Sequence, residues 1–97
     1  MIVSYIHFSW DDSKNRSNQH KHGVSFEEGR TVFFDPEARL VHDPEHSGQE
    51  DRFIILGLSR RLRLLVVVHS YDRTDEQIRI ISARRASRTE ANLYGGT

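Results

Sequence analysis

Between Asp12 and His22 the chain carries no aliphatic side chain and no large apolar ring, yet both ends of the stretch are marked as helix ends. Asp11 is a good N-cap, and Gly23 is a good residue to follow the last turn. A helix that is polar all round is marginal unless its polar groups find partners. Phe8 and Trp10 anchor one end of this one, and Val24 and Phe26 anchor the other. Lys14, Asn18 and Lys21 fall at i, i+4 and i+7, so they share a face. A basic face held between apolar anchors points to contact with something anionic.

The rest of the chain alternates short helices and strands. Ile2 to Phe8 reads as a first strand. Ser25-Phe-Glu-Glu28 is a capping box opening a second helix, which Asp35-Pro36 ends after Phe34. Ala38 to His42 forms a short strand, Asp43-Pro44 a turn, and Glu45 to Glu50 a polar loop. Arg52 to Leu58, Leu62 to Tyr71 and Gln77 to Ser82 are three strands joined by short links, which predicts an antiparallel meander. The middle strand is almost wholly aliphatic, so it is expected at the centre, covered on both faces. Ser87-Arg-Thr-Glu90 is a second capping box and opens a last helix, ended by Gly95-Gly96. The order β-α-α-β-β-β-β-α predicts an α+β fold, with two N-terminal helices and one C-terminal helix against an antiparallel sheet.

Ninety-seven residues make one domain, 1–97. There is no cysteine to form disulfides or thiolate metal sites, which suits a reducing cytoplasm. Met1 to Trp10 has no basic start and no long apolar run, so no signal peptide is expected. The longest aliphatic run, Leu64 to Val68, is far short of a membrane span. The net charge is zero but unevenly spread: residues 1–51 hold five basic and ten acidic side chains, and residues 52–97 hold nine basic and four acidic ones. Every basic residue of the second half is arginine, which grips phosphate bidentately. Such a half suits RNA, or an acidic protein partner.

Individual residues sharpen this. Arg63, Leu65, Val67 and His69 alternate onto one strand face, so an arginine and a histidine could line one groove. Arg79 lies inside a strand among isoleucines, where a charge must be paired or face a wet groove. Arg84 and Arg85 precede the last helix. Arg88 sits in its first turn, where the dipole does not favour a cation. Trp10 is either core or a surface for base stacking. His20 and His22 flank Lys21 on different helix faces and make a poor metal pair. His42 and His46, with Asp43 and Glu45, could form a loop metal site. There is no H-E-x-x-H, glycine-rich phosphate loop or G-x-S-x-G, so kinases, P-loop enzymes and common hydrolases are unsupported.

The pattern W-D-x-x-K-x-x-x-N-x-x-K-H-G-V-x-F, from Trp10 to Phe26, resembles the N-terminal signature of the BrnT toxins, and R-I-I-S-A-R-R-A, Arg79 to Ala86, resembles their C-terminal signature. The resemblance spans Phe8 to about Tyr94. It implies a RelE-like fold and a cytoplasmic ribonuclease toxin of a type II toxin–antitoxin pair. Such a toxin would cut RNA without metal or cofactor, by attack of the RNA's own 2′-hydroxyl. It would inhibit growth and be neutralised by a cognate, BrnA-like antitoxin, with any DNA contact made through that partner and none with membrane. On this reading Arg63 and Arg79 bind the phosphate and its developing charge, His69 moves protons, and Arg84 supports them. Trp10, Lys14, Lys21 and Arg88 hold RNA. One departure is the run Asn15 to His20, where the family usually has alanine or leucine; it predicts weaker packing of the helix. The alternative is a non-catalytic module that binds RNA or an antitoxin-like partner.

Overall fold

A computed structural model describes residues 6–42, 52–72, 74 and 76–94. In chain order it contains β1 (His7–Ser9), α1 (Asp12–His22), α2 (Phe26–Thr31) prolonged by a 3₁₀ turn (Val32–Phe34), β2 (Arg39–His42), β3 (Arg52–Leu58), β4 (Leu64–Asp72), β5 (Gln77–Arg85) and α3 (Arg88–Ala91). This is the expected element order, and the fold is α+β. The start of the first strand, the Asp43-Pro44 turn, the Glu45–Glu50 loop and Gly95-Gly96 lie outside the described residues.

The sheet order is β1-β5-β4-β3-β2. The predicted antiparallel meander holds for β2 to β5. It fails for β1, which lies parallel to β5 with His7 opposite Gln77 and Ser9 opposite Arg79. The sheet is therefore mixed, and the expected antiparallel, RelE-like arrangement is corrected to that extent. The physical reason is that short links fix only sequential pairings. β1 runs straight into a helix, so its partner is left to long-range packing.

β4 is central, as its aliphatic run requires. The residues of β3 to β5 that face α1 and α2 form the core: Ile55, Leu65, Val67, Ile78, Ile80 and Ala83, packed against Val24, Phe26 and Val32. Covering of the far face is less complete: Val66 is buried there, while Val68 and Ser70 are half-buried. Close approach of α2 to the sheet depends on Gly29, where a Cβ would lie 3.2 Å from the Ala83 Cβ. Against β4 the register of β5 shifts by one residue, with Val68 opposite Ser82 but His69 opposite Ile80. Ile81 is thus the extra residue of a β-bulge, and side chains after it change face.

The polar helix α1 is capped as its sequence demands: Asp11 accepts from the Lys14 N–H, and Gly23 closes the helix at φ 71°. It buries Asn18 alone among its residues. Two asparagines replace the missing apolar face. Asn15 accepts from the Phe26 N–H at 2.8 Å and donates to Glu27 at 2.9 Å. Asn18 donates to the carbonyls of Val24 and Ala83 and accepts from the Ala83 N–H. The weak packing expected from the run Asn15 to His20 is replaced by side-chain hydrogen bonds to backbone.

Candidate nucleic-acid interface

α1 runs beside β5 in the same direction. Asp11, at its start, feels the Arg79 charge, and Asn18, nearly two turns on, bonds Ala83. Arg79 is exposed. It lies opposite Ser9 on one side and Ser70 on the other, so all three share the sheet face turned away from α1 and α2. It makes no ion pair among the described residues. Beyond it, Lys14, Ser17, Lys21 and His22 of α1 and Ile81 and Ser82 of β5 line a shallow cleft of about 220 Å³, floored by Asn18. Two residues, one of them the bulge residue Ile81, separate Arg79 from Ser82, a rise of under about 10 Å along the strand. Lys14 and Lys21 thus line a cleft with no acidic side chain among its lining residues, and Arg79 lies outside it, earlier on β5.

The other expected site residues sit elsewhere. Arg63 precedes β4 and grips Glu28 with two nitrogens: Nε donates to Oε2 at 2.9 Å, and Nη2 donates to Oε1 and to the Gly23 carbonyl, the latter at 3.1 Å. Glu28 is 6 % exposed and also accepts from the Ser59 hydroxyl at 2.7 Å. These donors, the Arg63 guanidinium foremost, hold its carboxyl below the usual range. The second helix's capping box is consequently half-formed. Ser25 accepts from the Glu28 N–H, but the Glu28 carboxylate goes to Arg63 and Ser59 instead of returning to the cap.

Arg84 is likewise clamped. Nη1 and Nη2 donate to Glu90 at 2.9 and 2.7 Å, tying β5 to α3. Arg84 draws the Glu90 carboxyl down to about 2. Glu90 also completes the predicted capping box with Ser87. Arg88 is exposed in the first turn of α3.

His69 is 3 % exposed. It follows Val67 on the face that carries the core, whereas Arg79 shares the face of Ser70; the two side chains leave opposite sides of the sheet. Phe33 stands edge-on to the imidazole at 4.7 Å and Phe53 stacks at 6.0 Å. Burial pushes its pKa down to about 4, against a hydrogen bond to the Val67 carbonyl. It borders an apolar cavity with Phe33, Leu40, Phe53 and Tyr71. Trp10 is half-buried, edge-on to Phe26 at 6.1 Å, and belongs to the core's margin.

Four residues were missed by sequence reasoning. Asn15 and Asn18 were legible only as parts of a polar face, and Glu28 only as a cap. His22 was weighed as a metal ligand and not as a member of the cleft. Among the described residues no three His, Asp or Glu side chains converge as metal ligands. Asp43, Glu45 and His46 of the His42–His46 site lie outside them.

Residues 10–90 match the family model described as the ribonuclease toxin, BrnT, of type II toxin–antitoxin systems. Among solved structures, the 1.1 Å crystal structure of the Brucella abortus ribonuclease toxin BrnT is similar, with a TM-score of 0.65 and 25 % sequence identity. That match covers 86 % of this chain and 99 % of the other. No curated protein matches the chain.

Proposed function

The chain belongs to the BrnT family of ribonuclease toxins of type II toxin–antitoxin systems, and from that premise we propose that it cleaves RNA without a metal ion along the path formed by β5 and α1. The observation that carries this reading is Arg79, a cation exposed in mid-strand, with Lys14 and Lys21 of α1 lining a separate cleft further along β5. A strand of RNA laid along β5 would meet positive charge from both elements.

RNA supplies its own nucleophile. The 2′-hydroxyl attacks the adjacent phosphorus, a new O–P bond forms, and the bond to the 5′-oxygen breaks. The protein must bind the phosphate, stabilise the added negative charge and manage two protons. Arg79 takes the phosphate and its developing charge. Lys14 and Lys21 hold the neighbouring backbone, and Arg88 extends the contact at the far end. Arg63 and Arg84 act at one remove, since each holds elements together through an ion pair with a glutamate. Arg63 ties the hairpin to α2, and Arg84 ties β5 to α3. Trp10 fixes the start of α1 against Phe26. His69, buried and uncharged on the far side of the sheet, is a core residue.

Membership of a type II family implies an antitoxin partner. We take it to be BrnA-like, to neutralise the toxin, and to make any DNA contact of the complex. No described helix is long and apolar enough to cross a membrane. The site of action is the cytoplasm, where translating RNA is found.

The test is growth on induction, with cellular RNA examined for fragmentation, comparing wild type with Arg79→Ala at equal protein level. Growth arrest with fragmented RNA, abolished by Arg79→Ala in a protein of unchanged melting temperature, is expected. Normal growth with intact RNA would favour the non-catalytic binding module instead.

A further inference from the structure

The strand register sets four polar side chains in one line across the sheet. Ser70 of β4 lies opposite Arg52 of β3 on one side and Arg79 of β5 on the other. Ser9 of β1 continues the line beyond Arg79. Directly opposed residues point to the same face, so all four stand on the face turned away from α1 and α2. We propose that Ser70 forms part of the seat of the scissile phosphate, its hydroxyl donating to one non-bridging oxygen between the guanidinium groups of Arg52 and Arg79; the inference rests on the ribonuclease reading above.

Three observations converge on Ser70. A short side chain stands between two long cationic ones. Neighbouring strands lie about 4.8 Å apart, so Arg52 and Arg79 are roughly 10 Å apart at the backbone and flank a slot floored by the Ser70 hydroxyl. Guanidinium and hydroxyl donors together suit the oxygens of a phosphate. Next, the Ser70 hydroxyl is half-buried and makes no hydrogen bond within the described residues, so its O–H is available to a ligand. Finally, the line lies where this face of the sheet opens. At the other end Leu56 and Val66 are buried, and Arg84 is tied to Glu90 of α3. Arg52 is half-buried and already engaged within the protein, so it lends the slot a fixed charge. Arg79 is exposed and supplies the fork that reaches the ligand. Asp72 shares the face two residues beyond Ser70 and accepts from the Thr74 N–H. As the 2′-oxygen adds to phosphorus, negative charge grows on the two non-bridging oxygens. A hydroxyl on one and a guanidinium on the other hold that charge more strongly than the ground state, which lowers the barrier.

The experiment uses the whole purified chain and a fluorescein-labelled mixed-sequence RNA, presented naked and in a translating extract. The RNA carries ordinary phosphates, or sulfur in place of one non-bridging oxygen, in each of the two configurations. Ser70→Ala is expected to keep the melting temperature and to lower kcat on ordinary RNA by about ten- to a hundredfold, the loss of one hydrogen bond to a charged oxygen. It should slow one sulfur-bearing RNA by the same factor and leave the other nearly unchanged, because sulfur there has already removed the oxygen that Ser70 serves. Ser70→Thr, which keeps the hydroxyl, should retain most of the rate. A Ser70→Ala protein that cuts at the wild-type rate, or that slows all three RNAs equally, would overturn the inference while leaving the ribonuclease reading intact. If the wild type binds the RNA but cuts it in neither setting, the ribonuclease reading fails and takes the inference with it.

Discussion

The side-chain amide of Asn18 pairs with both backbone polar groups of Ala83, donating to its carbonyl at 2.7 Å and accepting from its N–H at 3.2 Å. It acts as a one-residue strand on the edge of β5, taking over where the three-residue β1 ends at the level of Arg79. The polar helix is thus fastened to the sheet without an apolar stripe, and its lysines stay beside β5.

The first prediction concerns this fastening. Asn18→Asp keeps the size but removes the Nδ2 donor, so the Val24 and Ala83 carbonyls lose their partner and face a carboxylate. Each buried polar group left unsatisfied costs about 1–3 kcal/mol, so a loss of about 3 kcal/mol in urea unfolding is expected. A change below about 1 kcal/mol, the size of an ordinary surface substitution, would mean the amide is not the fastening.

The second separates two arginines that the sequence presents as equals. Arg63→Ala strands Glu28, whose side chain is 5 % exposed, and breaking one partner of a buried pair costs about 3 kcal/mol or more. Arg79 is exposed and makes no ion pair among the described residues, so Arg79→Ala should leave the melting temperature nearly unchanged. Glu28 adds a pH signature. Its folded pKa is depressed, so its contribution is present above the ordinary carboxylate range and lost as the pH falls through the folded value. Acid unfolding of the wild type should therefore be steeper than that of Glu28→Gln. If Arg63→Ala melts with the wild type but loses cleavage, Arg63 belongs to the chemistry and not to the clamp.

These cases show what local sequence carries and what it omits. Caps, turns and strand limits were legible because each depends on a few neighbours: Asp11 and Gly23 bound α1, Asp35-Pro36 closes α2, and Ser87 and Glu90 cap α3. Pairings between distant residues were not. The parallel seat of β1 on β5, the partner of Glu28 and the target of Asn18 are set by tertiary packing, which no local pattern encodes. The bulge at Ile81 was also invisible, and it decides which faces the flanking residues take. Charge composition pointed correctly to an arginine-rich half, but it could not tell a paired arginine such as Arg84 from a solvent-facing one such as Arg79.

The third prediction uses His69 as a stability probe. Its pKa falls from 6.5 to about 4 on burial, so the unfolded chain takes up the proton at higher pH than the folded one. Stability is then full above 6.5, declines as the pH drops towards 4, and levels off below. The whole difference is on the order of 3 kcal/mol. His69→Phe, which keeps an aromatic ring against Phe33 and Phe53, should flatten this decline in melting temperature and retain RNA cleavage. Loss of cleavage in a stably folded His69→Phe protein would return His69 to the mechanism.

The last prediction turns on the hairpin between β3 and β4. Leu62 sits there at φ 63° and is 77 % exposed, the left-handed position that ends a short hairpin loop and that glycine fills best. Hydrogen bonds from the Leu62 N–H to the Ser59 carbonyl at 2.8 Å, and from the Ser59 N–H to the Arg63 carbonyl at 2.8 Å, hold it in place. A non-glycine residue at such a φ costs roughly 1–2 kcal/mol, while glycine's greater freedom in the unfolded chain costs about 0.5–1 kcal/mol. Leu62→Gly should accordingly gain about 0.5 kcal/mol, a rise of a few degrees in melting temperature. Leu62→Val, branched at Cβ, should lose stability, because branching makes positive φ worse. Cleavage should follow neither change, since the loop is distant in sequence from Arg79 and absent from the cleft lining. A Leu62→Gly protein that melts below the wild type would mean that the Leu62 side chain makes a contact worth more than the strain it imposes.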